Sequence, residues 1–316
     1  MKQFTSVHDS NNIAHLVEQA LVVKADPYQW SKLGQHKTLG LVFLNPSLRT
    51  RLSTQKAALN LGMNVMVMNM DKEGWALEFN DGAVMNGTSV EHIKDAAAVM
   101  GQYCDIIGIR CFPSLTNRVE DDNETLLNKF IEYAKVPVVS LESATRHPLQ
   151  SFADLITIKE NWKHARQPKV VLTWAPHIKA LPQAVPNSFS EWMCKADVNF
   201  VVTHPEGLEL HERFTQGAII THHQDEALKD ADFIYVKNWS SYHDYGKPFM
   251  NGSGWLLDEE RLKITNQAKI MHCLPVRRNV ELSDELLDGT RSLVLQQANN
   301  RLFAAQTVLK NILQQL

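Results

Sequence analysis

Short, almost wholly apolar runs alternate along the chain with stretches whose apolar residues recur every three or four positions. Residues 39–45, 64–70, 104–111 and 136–143 are rich in Val, Ile, Leu and Met, as strands covered on both faces are. Between them, 49–61, 90–103 and 124–135 carry helical spacing. Such a β-α-β-α series predicts a mostly parallel sheet with helices on its faces. The second half repeats the style, with strands expected at 169–174, 198–203, 218–221, 232–239 and 269–274 and helices at 188–196, 224–231 and 258–264. Residues 151–162 predict a helix joining the halves, and 295–316, free of breakers, one long terminal helix. The expected fold class is therefore α/β, with two doubly wound parallel-sheet domains.

Composition bounds what such a fold could do. A length of 316 residues suggests about two domains. Lys and Arg number 32 against 35 Asp and Glu, so the formal charge is −3. That balance gives no reason to expect nucleic acid or an anionic membrane as partner, although a local cationic pocket stays open. Residues 1–12 lack the apolar stretch of a signal peptide, and no run reaches the ~20 apolar residues of a membrane span. Cys104, Cys111, Cys194 and Cys273 show no CxxC spacing, so neither zinc nor a disulfide framework is expected. A cytoplasmic protein with reduced thiols is the simplest expectation.

In doubly wound sheets, ligands bind beyond the carboxyl ends of the strands. After the first strand comes Asn45-Pro46-Ser47-Leu48-Arg49-Thr50-Arg51, in which Pro46 ends the strand and Ser47 is a good N-cap. Free N–H groups at a helix start, with hydroxyls and arginines beside them, suit an anion. A merely capped helix with solvated arginines accounts for these residues as well. Arg110 ends the third strand, and a lone charge there needs a cleft or a partner. The fourth strand leads through Glu142 to His147-Pro148-Leu149-Gln150. In the second half, Lys237-Asn238-Trp239 and His272-Cys273-Leu274-Pro275-Val276-Arg277-Arg278 stand at strand ends. Cys273 has no evident base beside it, so a small buried residue before a turn describes it better than a nucleophile. The residues alone imply a site rich in cations and donors, suited to a phosphorylated or carboxylated substrate.

Ser47-Leu48-Arg49-Thr50, Arg110, His147-Pro148-Leu149-Gln150 and His272-Cys273-Leu274-Pro275, in this order and spacing, resemble the aspartate/ornithine carbamoyltransferase family over essentially the whole chain. The resemblance implies a carbamoyl phosphate-binding domain over 1–150, with the terminal helix 295–316 packed back on it, and an amino-acid-binding domain over 151–294. It implies that Ser47, Leu48, Arg49 and Thr50 cradle the phosphate. Arg110, His147 and Gln150 would hold the carbamoyl group, assisted by Arg301, and backbone groups of Cys273 and Leu274 would meet the carbamoyl nitrogen or the attacking amine. Arg49, Thr50, Arg110, His147 and Gln150 are thus the expected catalytic residues. Trp75, in Lys72-Glu73-Gly74-Trp75, would reach a neighbouring subunit's site, which implies a homotrimer. A loop aromatic packed on its own chain is the plain alternative. No metal and no cofactor is expected, because stabilising the developing oxyanion needs only such donors.

One segment departs from the ordinary ornithine enzymes, whose Asp-x-Trp-x-Ser-Met-Gly pairs the charged α-amino group of ornithine. Here Lys237-Asn238-Trp239-Ser240-Ser241 stands instead. Lys237 would repel an ammonium, but it suits the α-carboxylate of an ornithine whose α-nitrogen is acylated. The segment 173–182, with its prolines, resembles the N-acyl-ornithine branch, in which a loop at about 175–186 is threaded into a knot, against the usual rule. Val90 stands where acetyl-specific relatives carry a glutamate that would repel a succinyl carboxylate and succinyl-specific relatives usually carry Pro; Val matches neither, but it removes the repulsion. Arg278, His177 and Lys179 are candidate partners for that carboxylate, and Glu142 and Leu274 for the rest of the acyl-ornithine. The implied reaction carbamoylates the δ-amine of N-succinylornithine in arginine biosynthesis, with N-acetylornithine as the alternative acceptor.

Two other classes compete. A nicotinamide-type oxidoreductase wants a GxGxxG turn after a strand, and Gly252-Ser253-Gly254 lacks its third glycine. A non-catalytic metabolite-binding relative would have no need of Arg49, Arg110, His147 and Gln150 together.

Overall fold

The structure, a computed structural model, describes residues 1–70, 74–249 and 254–316. The chain packs as two units, residues 1–149 with 301–316 and residues 150–300.

In the first unit, β1 (Thr38–Phe43), β2 (Asn64–Asn69), β5 (Ile106–Arg110) and β6 (Val138–Glu142) form a parallel sheet in the order β2-β1-β5-β6. Phe4 adds a parallel bridge to Val139 at the β6 edge. The chain winds outward from β1 to β2, then returns to the far side of β1 for β5, so the strand order reverses between β1 and β5. Helices α2 (Arg49–Asn60), α3 (Ile93–Tyr103) and α5 (Thr125–Ala134) are the crossovers, joined by the short α4 (Arg118–Asp122). Ile93, Ala97, Leu127 and Phe130 meet Val42, Ile107 and Ile109 in one buried cluster. Gly101 lets α3 approach α5, since a Cβ there would lie 1.9 Å from the Ala134 carbonyl oxygen.

Three local features depart from the sequence-based expectation. Helix α1 (Ile13–Ala25), capped by the Asn12 side chain on His15 N–H, was not foreseen. Helix α3 begins at Ile93, not at 90, because His92 caps it. Just before it, β4 (Glu91–His92) pairs with β3 (Leu77–Glu78), a ladder too short to leave an alternating pattern.

The second unit holds β7 (Lys169–Ala175), β8 (Asn199–Thr203), β9 (Ile219–Thr221), β10 (Phe233–Asn238) and β11 (Lys269–Met271), all parallel, in the order β11-β10-β7-β8-β9. Its order reverses between β7 and β10. Helices α6 (Pro148–Asn161), α7 (Ala184–Met193), α8 (Gln224–Leu228), α9 (Glu259–Leu262) and α10 (Asp284–Asp288) accompany it. Helix α7 starts four residues earlier than expected, with Pro186 in its first turn, where a missing N–H costs nothing.

The border between the units runs through two helices and shifts the expected division. Gln150, in the first turn of α6, belongs to the second unit. So do residues 294–300 of α11 (Val294–Leu313), whose Gln297 and Asn300 hydrogen-bond Asp154 and Thr157 of α6. From Arg301 onward α11 packs in the first unit, with Gln306 bonded to Asn60 and Lys310 over the Trp30 ring. Among the described residues no helix is long and apolar enough to cross a membrane.

Candidate active site

The expected site residues gather at both strand-order reversals, where doubly wound sheets bind their ligands. In the first unit, β1 runs into Asn45, whose Oδ1 accepts the Phe112 N–H from the segment after β5 and so joins the two strand ends. The helix that follows is not capped by Ser47, contrary to expectation. Leu48 is already helical and occupies the N-cap, leaving Ser47 one position outside. Leucine offers no acceptor, so the first-turn N–H groups face outward without side-chain capping.

Arg110 owes its direction to an irregularity. The β5–β6 register runs Ile109↔Ser140 and then Arg110↔Glu142, skipping Leu141. Bulges of this sort re-aim side chains. Here Arg110 is set against Glu142, to which its Nη1 donates, and its guanidinium lies 4.2 Å from the centroid of Phe112. The Glu142 carboxylate also lies 3.4 Å from His147 Nε2. His147 precedes Pro148, the first residue of α6, whose fixed φ suits a helix start. The loop before it is braced by Glu124, which accepts from Ser143 Oγ at 2.6 Å and the Thr145 N–H at 2.8 Å. Arg301 completes the group: its Nη2 donates to Thr50 Oγ1 and lies 3.4 Å from His147 Nε2.

Thr50, Arg110, Glu142, His147 and Arg301 thus form one buried chain of contacts from five elements. It contains two arginines and one carboxylate, with Arg49 at the adjoining helix start. Buried guanidinium groups in excess of carboxylates favour an added anion. Glu142, expected to touch the acyl-ornithine, lies among these residues as the partner of Arg110. Beside them Cys111 is inert: burial above all, then the charges of Glu124 and Glu142, raises its thiol well above the usual range.

On the same unit, Trp75 is 55% exposed and donates its indole N–H to Glu91 at 2.8 Å. Val90 is 65% exposed, with its N–H on the Ala76 carbonyl at 2.9 Å. Lys72 and Glu73, beside Trp75, and Gly252 and Ser253 lie outside the described residues.

In the second unit, Gln150 donates its amide nitrogen to Asp154 at 2.8 Å, which leaves its buried oxygen to accept. Lys237, next to last in β10, is buried, its Nζ bonded to Asn238 Oδ1. His177 follows β7 across the reversal. Its Nε2 accepts from Arg277 Nε at 3.1 Å and lies 3.7 Å from Glu281 Oε1. His272 is wholly buried; its Nδ1 accepts the Leu274 N–H at 2.9 Å and its Nε2 meets Glu281 Oε2 at 2.8 Å. Burial pushes the Glu281 carboxyl up, but the hydrogen bond from His272, with the charge of Lys237, outweighs it and holds the group below its ordinary value. Cys273 is buried beside the turn, where Leu274 takes a left-handed φ of 54°.

Arg278 does not join this cluster. Its guanidinium is bound bidentately by Asp288 at 2.7 Å and by Asp284 at 2.8 Å, the two ends of α10. Arg277 stands in its stead. Two adjacent arginines after a turn give no periodic signal of which one faces inward. Lys179 keeps its side chain exposed, and its backbone carbonyl accepts from His177 Nδ1 at 3.0 Å. Glu281 carried no signal that separates it from the neighbouring surface carboxylates.

Residues 2–160 match the family model described as aspartate/ornithine carbamoyltransferase, carbamoyl-P binding domain, and residues 182–312 match that of the Asp/Orn binding domain. The chain belongs to the aspartate/ornithine carbamoyltransferase family. Within it, N-succinylornithine carbamoyltransferase of Bacteroides fragilis (strain 638R) is 49% identical over the full length of both chains. N-acetylornithine carbamoyltransferase of Xylella fastidiosa (strain Temecula1) is 34% identical over 92% of this chain and 93% of its own. Among solved structures, a glutamate-to-alanine mutant of N-acetyl-L-ornithine transcarbamylase, complexed with carbamyl phosphate and N-succinyl-L-norvaline, superposes with a TM-score of 0.91. It is 31% identical, over 99% of this chain and all of that one.

Proposed function

We propose that the protein transfers the carbamoyl group of carbamoyl phosphate to the δ-amine of N-succinyl-L-ornithine, giving N-succinyl-L-citrulline and phosphate in cytoplasmic arginine biosynthesis. The observation that carries this reading is the buried Thr50–Arg301–His147–Glu142–Arg110 chain, an array of hydrogen-bond donors beside an uncapped helix start. It suits a phosphorylated donor whose carbonyl gains negative charge in the transition state.

The uncharged δ-amine attacks the carbamoyl carbon, forming the C–N bond and a tetrahedral intermediate. Thr50, Arg110, His147 and Arg301 stabilise its oxyanion. Ser47, Leu48 and Arg49 hold the phosphate, which departs as the C–O bond breaks and takes the proton from the amine. The Gln150 oxygen accepts from the carbamoyl amide, and backbone groups of Cys273 and Leu274 receive the reacting nitrogen.

In the second unit, Lys237 pairs with the α-carboxylate of the acceptor. Arg277, with His177 beside it, is the cationic candidate for the succinyl carboxylate. Uncharged Val90 supports succinyl over acetyl. The same choice is supported by solved glutamate-to-alanine, -valine and -serine mutants of the acetylornithine enzyme, each complexed with N-succinyl-L-norvaline. Leu48, Leu52, Trp75, Val84 and Val90 are exposed apolar side chains of the first unit, which supports a homotrimer in which Trp75 serves a neighbouring subunit.

The reading is tested by incubating the protein with carbamoyl phosphate and N-succinylornithine and following both products. Ureido product and phosphate should appear one to one. Phosphate without ureido product would overturn it. Sedimentation should give three times the chain mass.

A further inference from the structure

We infer that Glu281 is a positioning residue for the transfer. Through His272 it fixes the turn at Cys273–Leu274 so that the turn offers carbonyl oxygens, not N–H groups, to the reacting nitrogen. The inference deepens the proposed carbamoyl transfer and rests on it.

The geometry settles the protonation of His272. A backbone N–H can only donate, so the Leu274 N–H at 2.9 Å makes His272 Nδ1 an acceptor. A neutral imidazole then carries its proton on Nε2, which faces the Glu281 carboxylate at 2.8 Å. The carboxylate accepts that proton's hydrogen bond and disfavours the other tautomer, in which two N–H groups would face each other at Leu274. Both side chains are at most 3% exposed, so water does not replace either partner.

The consequence lies in the turn. The Leu274 N–H is committed inward, so what Leu274 can direct at a ligand is its carbonyl. A carbamoyl NH2 and an attacking amine are both donors, and acceptors are what they need. The main chain of His272 is tethered too, its N–H donating to Gln297 Oε1 at 2.8 Å. Glu281 thereby links the turn to the rest of the cluster: its second oxygen faces His177, and Lys237 acts on it through charge.

The test compares Glu281→Met, which removes the acceptor at similar volume, with Glu281→Gln, which keeps an acceptor without the charge. The partner that fixes a functional imidazole typically matters by about 10–100-fold. Glu281→Met should lower kcat in that range while the KM for carbamoyl phosphate moves less than about threefold, and Glu281→Gln should recover most of the lost kcat. A Met variant with near-normal kcat, or Met and Gln variants equally impaired, would overturn the inference.

Should the Met variant fail to fold, nitrogen-15 spectra of histidine-labelled wild type and Glu281→Gln decide. The inference requires His272 protonated at Nε2 in both, with the proton moved upfield in the Gln variant. Protonation at Nδ1 in the wild type, or an unmoved proton, would contradict it. These spectra need no substrate, so a wild-type protein without carbamoyl transfer would refute the functional reading separately.

Discussion

Arg301, in the last helix, donates a hydrogen bond to the hydroxyl of Thr50, 251 positions earlier in the chain. Residues from opposite ends of the sequence are thereby held in one unit, on one donor array. The bond also orders what a ligand meets: Thr50 Oγ1 accepts from Arg301, so its own proton is left to point elsewhere.

Arg110 tests this array most simply. Arg110→Ala should lower kcat about 10²–10³-fold, the usual effect of deleting one oxyanion donor. Thermal unfolding of the variant checks that Glu142, left buried beside His147 without its guanidinium partner, has not destabilised the unit. Full activity in a folded Arg110→Ala protein would mean that the donors are wrongly assigned.

On the proposed reading, Val90 sets the acyl preference. Val90→Glu should shift the ratio of kcat/KM for N-succinylornithine over N-acetylornithine toward acetyl by about tenfold or more, since 1.4 kcal/mol of repulsion suffices for a factor of ten. An unchanged ratio would remove residue 90 from the specificity argument.

The two adjacent arginines separate by experiment as they do in space. Arg277→Ala should raise the KM for the acyl-ornithine at least about tenfold, as losing a charged hydrogen bond worth roughly 1.5–3 kcal/mol would. Arg278, tied to Asp284 and Asp288 on the surface, should leave that KM within about threefold when changed to Ala. Equal effects of the two substitutions would contradict their assignment.

The extent of the site that the sequence discloses follows from what periodicity can express. Apolar runs at 39–45, 104–111 and 232–239 mark the central strands, and what stands after a strand in a parallel sheet is placed by that fact alone. Ser47–Thr50, His147 and Lys237 are legible for this reason. Direction is not. The bulge that skips Leu141 and sets Arg110 against Glu142 leaves no trace in composition. Ser47 has the residue type of a cap, yet the backbone turns helical one residue later. Glu281 and Asp154 work while buried, and a buried carboxylate reads in sequence like an exposed one.

Asp232 supports the second sheet by the same kind of burial. It accepts from both Arg166 nitrogens at 2.7 Å, from the Lys169 N–H at 2.8 Å and from Asn266 at 2.7 Å. Burial raises its carboxyl, but those donors outweigh burial and hold it below the ordinary value. Because the folded pKa lies below the unfolded one, its contribution is complete above the ordinary Asp value near ~3.9 and fades as pH falls through the folded pKa. Asp232→Ala should cost about 1–3 kcal/mol at neutral pH by removing the charge-assisted hydrogen bonds of this buried carboxylate. Chemical denaturation at pH 7 and at pH 3 should show the wild-type advantage shrinking at the lower pH. An advantage that grew on acidification would contradict the sign.

The most direct test is the comparison of kcat/KM for N-succinylornithine, N-acetylornithine and ornithine, each with saturating carbamoyl phosphate. The donor array, Lys237 and Val90 together predict that succinylornithine leads, acetylornithine follows and ornithine is hardly used. Ornithine in first place would contradict the pairing of Lys237 with an α-carboxylate, and acetylornithine in first place would contradict the role of Val90.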